Sequence, residues 1–127
     1  MSNSYLIIGG SSDIAIQTIH KLLVDGNHVT ILARDMSRVS QLAEQGVTVI
    51  EGDALDQDAL NSAIQAATDS GAGKISGVAH LVGSIVIRPP HALKVDAFEE
   101  VIRTNLTSAF LTLSLTGKAM IKSGGGR

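Results

Sequence analysis

Four short apolar runs, each followed by a segment with helical periodicity, most constrain how this chain can fold. The runs lie at Tyr5–Ile8, Val29–Ala33, Val47–Ile50 and Val78–Val82. They are continuous rather than alternating, which is typical of strands buried on both faces of a parallel sheet. The sequence therefore predicts the order β-α-β-α-β-α-β-α with right-handed crossovers.

The segments between the runs place apolar residues on one helical face. Three such faces are Ile16, Ile19 and Leu23; Val39, Leu42 and Ala43; and Leu60, Ala63, Ile64 and Ala67. A glycine follows each face, as expected just beyond a helix C-terminus. A fourth, longer helix is predicted from about Val95 to Lys122. Its apolar stripe, which runs from Phe98 to Leu113, is expected to pack on the sheet.

This order predicts a three-layer, doubly wound α/β fold of the Rossmann type with strand order 3-2-1-4. Residues 1–127 would form one partial domain that ends before a fifth strand. The run Val78–Val82 would then be an apolar edge strand, and such edges pair readily with other chains. We therefore expect the isolated chain to be marginally stable and to self-associate through this edge or through the long helix.

Composition excludes several classes of protein. The chain is 44% apolar and 17% charged, so it can bury a core and is not disordered. A net charge of -2 with one tyrosine, two phenylalanines and no tryptophan argues against a nucleic-acid partner. There is no cysteine, no histidine pair at helical spacing and no run near the roughly 20 apolar residues that span a bilayer. We predict a cytoplasmic protein without a metal or membrane partner.

The first strand runs directly into Gly9-Gly10-Ser11-Ser12-Asp13-Ile14-Ala15. Glycine permits a tight turn, and the start of the next helix offers free N–H groups, so this loop is a candidate site for a dinucleotide pyrophosphate. The general G-x-G-x-x-G pattern is absent. Ser11 and Ser12 as plain helix caps remain the alternative. The Asp13 carboxylate would repel a pyrophosphate unless it points to solvent or is screened.

The end of the second strand bears on which dinucleotide would bind. A free ribose 2′-hydroxyl favours an acid at this point, whereas a 2′-phosphate favours an arginine. Arg34 stands at the strand end, so NADP is predicted over NAD; a plain surface arginine is the alternative. Asp35 is predicted to cap the second helix.

Four motifs together resemble the short-chain dehydrogenase/reductase family. Gly9-x-x-x-Asp13-Ile14-Ala15 is similar to the family's Thr-Gly-x-x-x-Gly-Ile-Gly loop, from which Ile8, Asp13 and Ala15 depart. Asp53-Ala54 resembles the family's adenine-contacting pair, although Asp53 could instead cap the third helix. His80-Leu81-Val82-Gly83 occupies the place of Asn-Asn-Ala-Gly, of which only the glycine survives. Asn105 resembles the family's helical catalytic asparagine, and a satisfied buried amide is its alternative.

The resemblance implies an oxidoreductase that transfers a hydride between NADP(H), or NAD(H), and an unidentified carbonyl or alcohol. It implies that Asn105 is catalytic and holds a proton-relay water through a local helix distortion. The implied cofactor-binding residues are Gly9, Ser11, Ser12, Asp13, Ile14, Arg34, Asp53, Ala54, Val82 and Gly83.

The family's Tyr-x-x-x-Lys pair is missing from the chain. Its single tyrosine, Tyr5, is followed four residues later by Gly9, so the 127 residues are predicted to be inactive alone. Two other functions remain open. One is a non-catalytic dinucleotide-binding or regulatory module. The other is a receiver-type phosphoacceptor domain with Asp53 as the modified acid, although such domains need an acidic pair where Gly9 and Gly10 stand.

Overall fold

A computed structural model of the chain describes residues 2–127. Its four strands form one parallel sheet in the order β3-β2-β1-β4, which confirms the predicted doubly wound α/β class. The strands are β1 Ser4–Ile8, β2 His28–Ala33, β3 Thr48–Glu51 and β4 Gly77–His80.

Helices cover both faces of the sheet. They are α1 Asp13–Val24, α2 Ser40–Glu44, α3 Gln57–Ser70, α4 Val95–Ile102 and α5 Ser108–Ser123. Side chains of β1 alternate between two cores, because successive residues of a strand point to opposite faces. Ile7 packs in the core with α1 and α2, while Leu6 and Ile8 pack in the core with α3 and α5.

Strand β4 is shorter than predicted and ends at His80 rather than at Val82. The Leu81 N–H still donates to the Ile8 carbonyl at 2.7 Å. Beyond that point β1 turns away at Gly9, so Val82 has no neighbouring strand with which to continue the ladder.

The predicted helix cap at Asp35 is wrong, and so is the alternative in which Asp53 caps α3. Asp35 accepts from the Ser37 N–H and begins a short 3-10 turn, Met36–Arg38, so it does not cap α2. Asp56, rather than Asp53, caps α3 by accepting from the N–H groups of residues 58 and 59. Asp53 instead accepts from the Leu55 N–H, and its carboxylate therefore stays beside the end of β3.

The long helix differs most from prediction. It is interrupted by a π-helical turn at Arg103–Thr107, and its apolar stripe does not pack on the sheet. The stripe residues Phe98, Ile102, Leu106 and Leu113 are 40% to 73% exposed. The side that faces the sheet carries Ser108, Thr112 and Thr116, each 4% exposed or less. The partly buried Leu111, Leu115 and Ala119 pack against the core beside them. Small side chains let the helix backbone approach the sheet closely, and the hydroxyls of Ser108 and Thr116 donate to the carbonyl four residues earlier.

The outer edge of β4 is partly covered by the end of the chain. The Val78 N–H donates to the Arg127 carbonyl at 2.7 Å, and the Arg127 N–H donates to the Ser76 carbonyl at 3.1 Å. Arg127 therefore lies where a fifth strand, parallel to β4, would pair.

Candidate functional site

A cleft of about 860 Å³ opens at the carboxyl ends of the strands, where ligands bind in open α/β sheets. Its walls come from the turns after all four strands and from one side of α4, the π-helical turn and α5. Eight of the ten predicted cofactor residues line it: Gly9, Ser11, Ser12, Arg34, Asp53, Ala54, Val82 and Gly83. Asp13 and Ile14 do not line the cleft, and both point to solvent.

The turn after β1 can be built only with glycine. Gly9 has φ +92°, and a Cβ at this position would lie 2.8 Å from the Leu81 carbonyl oxygen and 2.8 Å from Val82 Cγ2. The N–H groups of Gly9 and Gly10 both donate to the Leu32 carbonyl, at 2.9 and 3.1 Å. The turn is therefore tied to the end of β2, and its backbone forms the floor of the cleft.

Helix α1 begins at this turn and offers hydrogen-bond donors to the cleft. Ser12 is the N-cap, and its Oγ accepts from the Ala15 N–H at 3.1 Å. The N–H groups of Asp13 and Ile14 belong to the first turn, where a helix provides no carbonyl partner. Free donors and the positive end of the helix dipole make this a suitable position for a phosphate.

Charged side chains border the cleft beyond the ends of β2 and β3. The Arg34 guanidinium lies 3.6 Å from the Asp53 carboxylate and is 77% exposed. A side-chain hydrogen bond from Ser37 lowers the pKa of Asp35, so this neighbouring carboxyl stays ionised at neutral pH.

On the opposite wall, Asn105 holds the loop that follows β4. Its Oδ1 accepts from the Ser84 N–H at 3.1 Å, and its Nδ2 donates to the Ser84 carbonyl at 3.0 Å. Gly83 passes so close that a Cβ there would lie 3.1 Å from Asn105 Oδ1. Asn105 does not itself line the cleft, but Gly83 and Ser84, which it holds, do.

The π-helical turn explains why an asparagine and a serine lie inside a long helix. The Ser108 N–H donates to the Arg103 carbonyl, five residues earlier, which breaks the regular pattern of helical hydrogen bonds. Side chains donate to nearby carbonyls instead: Asn105 Nδ2 to Val101 at 2.9 Å, and Ser108 Oγ to Thr104. Both side chains therefore stabilise the distortion that carries them.

His80 links the end of β4 to α5. Its Nε2 lies 2.9 Å from Ser108 Oγ. Because the serine hydroxyl donates its hydrogen to the Thr104 carbonyl, His80 is the donor in this contact. Burial lowers the pKa of His80, so the imidazole is neutral at neutral pH.

The cleft residues that were not predicted from the sequence include Arg38, Glu100, Thr104 and Ser108. The last three recur at intervals of four, and Thr112 and Thr116 continue the series. This polar series on the long helix could have predicted Glu100, Thr104 and Ser108 as cleft residues. Arg38 follows no such pattern.

Residues 2–127 contain no tyrosine at the cleft, no metal site and no membrane-spanning helix. Tyr5 lies in β1, where its ring packs beside Gly77 and away from the cleft. Among residues 2–127, no group of three His, Asp or Glu side chains could hold a metal ion. No helix within this range combines the length and apolar character that a bilayer span requires.

Known proteins resemble the chain over its whole length. The family model described as short chain dehydrogenase matches residues 3–127. The 3-oxoacyl-[acyl-carrier-protein] reductase MabA of Mycobacterium tuberculosis is 27% identical over 127 residues, which are all of this chain and 49% of MabA. The chain thus spans about half the length of this relative.

Solved structures of similar proteins share the fold. A short-chain type dehydrogenase/reductase from Mycobacterium ulcerans superposes with a TM-score of 0.84 at 25% identity, covering 99% of this chain and 50% of that one. The structure of ElxO with NADP bound superposes with a TM-score of 0.85 at 21% identity, covering 99% of this chain and 53% of that one.

Proposed function

Because the chain belongs to the short-chain dehydrogenase family, we propose that residues 1–127 are the cofactor-binding part of an NAD(P)-dependent oxidoreductase. The observation that carries this proposal is the cleft at the carboxyl ends of the strands. There the Gly9 turn, the start of α1 and the Arg34–Asp53 pair border one space of about 860 Å³. When bound, the reduced dinucleotide would supply a hydride to a carbonyl, and the oxidised dinucleotide would accept a hydride from an alcohol.

The residues divide the cleft into regions of different chemistry. The Gly9 backbone and the first-turn amides of α1 would hold the pyrophosphate, with Ser11 and Ser12 beside it. Asp53 and Ala54 would face the adenine. Val82 and Gly83 lie on the opposite wall and would border the nicotinamide. The hydrogen bonds between Asn105 and Ser84 hold the loop that carries them.

We propose NADP as the preferred dinucleotide, with NAD as the second choice. The Arg34 guanidinium is exposed at the end of β2, and a planar guanidinium recognises a phosphate through paired hydrogen bonds. Asp53 lies 3.6 Å from this guanidinium, and both residues line the cleft. ElxO, which has the same fold, was solved with NADP bound.

For the reaction we propose that Asn105 acts together with a proton donor that residues 2–127 do not contain. A reductase of this family needs a tyrosine whose pKa is lowered by a nearby lysine, and Tyr5 lies away from the cleft. The chain alone is therefore expected to bind a dinucleotide without reducing a carbonyl. MabA is a 3-oxoacyl-carrier reductase, so 3-oxoacyl thioesters are the first substrates to test with the full-length protein.

The direct test of the proposed function is a titration with NADPH in a calorimeter. Gly9→Val places a branched side chain against the Leu81 carbonyl, so it is expected to abolish binding while the far-ultraviolet spectrum stays largely unchanged. Gly117→Val is the matched control, since a Cβ at Gly117 meets nothing within 4 Å. Binding of NADPH by the Gly9 variant with unchanged affinity would mean that the pyrophosphate lies elsewhere.

The choice between dinucleotides is tested at Arg34. Arg34→Glu replaces a phosphate partner with a repelling charge and should weaken NADPH binding on the order of 100-fold. NADH lacks the 2′-phosphate, and its affinity should change by less than about threefold. Equal losses for the two dinucleotides would show that Arg34 does not read the 2′-phosphate.

A further inference from the structure

We propose that Arg38 is a charge-compensating residue: by pairing with Asp13, it allows a pyrophosphate to bind a glycine loop that carries a carboxylate. This inference rests on the proposed function and deepens it. Asp13 stands where the family's loop has glycine, directly after the cleft-lining Ser12. An uncompensated carboxylate at that position would repel a doubly charged pyrophosphate.

The two side chains are joined across 25 positions of sequence. Arg38 Nη2 donates to Asp13 Oδ1 in a short hydrogen bond. Arg38 ends the 3-10 turn that Asp35 caps, and this turn carries the guanidinium back toward the start of α1. The loop after β2 is thereby connected to the loop after β1.

The pair has a definite orientation with respect to the cleft. Arg38 lines the cleft, whereas Asp13 does not. The Asp13 side chain is 90% exposed and the Arg38 side chain 48% exposed. The carboxylate is thus turned toward solvent, and the guanidinium that pairs with it borders the cleft. A ligand in the cleft would meet the positive end of the pair.

Stability does not account for this arrangement. An exposed ion pair contributes little to the free energy of unfolding. Its effect on a charged ligand is larger, because the ligand would otherwise experience the carboxylate alone. The neighbouring charges give no substitute: Arg34 is paired with Asp53, and Asp35 and Glu100 are further carboxylates around the cleft.

The experiment measures NAD+ binding by calorimetry in Arg38→Gln, Asp13→Asn and the double variant. NAD+ is the probe because it carries the pyrophosphate but no 2′-phosphate. Arg38→Gln should weaken NAD+ binding roughly five- to tenfold at low salt, and the loss should shrink at high salt because ions screen the exposed carboxylate. Adding Asp13→Asn should return the affinity to within about twofold of the original. Asp13→Asn alone should tighten binding about twofold.

Lys21→Gln is the matched control, since it removes a cation on α1 that does not line the cleft and should leave NAD+ binding unchanged. The proposal is overturned if Arg38→Gln binds NAD+ normally. It is also overturned if the loss is confined to NADP+ and is not restored by Asp13→Asn, because Arg38 would then read the 2′-phosphate directly. Arg38→Lys keeps the charge and should bind NAD+ nearly as well as the original protein. If the unsubstituted protein binds neither dinucleotide, the proposed function itself is wrong.

Discussion

Helix α3 and the long helix α4–α5 both have a regular apolar stripe, but the stripe is buried in α3 and exposed in α4–α5. In α3 the stripe is the contact surface: Leu60, Ala63 and Ala67 are fully buried against the sheet. In α4–α5 the contact surface combines the small polar series Ser108, Thr112 and Thr116 with the partly buried Leu111, Leu115 and Ala119, while the predicted stripe faces solvent. Both α3 and α5 pack on the same face of the sheet, so the difference lies in the helices.

Apolar periodicity therefore predicts the presence of a helix better than it predicts which side of that helix packs on the sheet. An exposed apolar stripe this long is unusual on a monomer and is typical of a surface that another element covers. The loop before α4 adds Ile85 and Ile87, each at least 80% exposed. We therefore keep self-association as a prediction and assign it to the outward stripe of the long helix.

The largest expected effect comes from truncating the two stripes in turn. Leu60→Ala opens a cavity in the core and should lower the free energy of unfolding by about 2–5 kcal/mol. Leu113 is 73% exposed in the single chain, so at protein concentrations too low for association Leu113→Ala should change the free energy of unfolding by less than about 0.5 kcal/mol. Urea unfolding followed by circular dichroism measures both. Similar losses for the two variants would mean that the outward stripe is buried in the protein in solution.

A second experiment examines what covers the outward stripe. Phe110 is 64% exposed and lies one helical turn after Leu106, beside the stripe. If the stripe holds two copies together, the double substitution Phe110→Ser and Leu113→Ser should weaken association at least about tenfold, because burial of each side chain contributes roughly 1.5–3 kcal/mol. Sedimentation equilibrium gives the association constant. Val24→Ser is the control, since Val24 is equally exposed but lies on α1, in the other helical layer. An unchanged association constant in the double variant would rule out the stripe as the contact.

A third experiment examines the polar side of α5. Thr112 Oγ1 is buried and has no hydrogen-bond partner within the part of the chain that the structure describes. Thr112→Val should therefore stabilise the protein by about 1 kcal/mol. Thr116→Val removes a hydroxyl that donates to the Thr112 carbonyl at 2.6 Å and should destabilise by a similar amount. In thermal unfolding, Thr112→Val should raise the Tm and Thr116→Val should lower it. Shifts of the Tm in the same direction would contradict this prediction.

The smallest expected effect concerns pH. Burial lowers the pKa of His80 below its ordinary value of 6.5 in the folded protein. Well above pH 6.5 the His80 imidazole is neutral in both the folded and the unfolded chain, so its protonation does not change the free energy of unfolding. As the pH falls through 6.5, the unfolded chain takes up a proton that the folded chain resists, so stability decreases until the folded pKa is passed.

Unfolding free energies measured from pH 8 to pH 5 should therefore decline less steeply for His80→Gln than for the original protein. Gln retains a donor toward Ser108 but does not titrate. His20→Gln is the control, because His20 lies on α1, away from the contact between β4 and α5. A decline unaltered by the His80 substitution would assign the titration to another group.

The strand order, the glycine turn and eight residues of the cleft lining could be predicted from the amino-acid sequence. Continuous apolar runs form buried strands, right-handed crossovers limit the possible orders, and the Rossmann-type arrangement has the order 3-2-1-4. Only glycine fits the turn at Gly9. The ends of parallel strands must meet at one edge of the sheet, so Arg34, Asp53 and Gly83 line one cleft even though they are distant in sequence.

Three features could not be predicted from the sequence and are known only from the folded chain. They are the side of the long helix that faces the sheet, the hydrogen-bond partners of Asn105, and the ion pair between Arg38 and Asp13. The outward stripe and the polar series both have helical spacing, so periodicity alone could not choose between them. The choice depends on how closely two backbones approach, and small hydroxyl side chains allow the closer contact. The ion pair likewise depends on the direction in which a 3-10 turn leaves β2, which is set by contacts between residues far apart in the sequence.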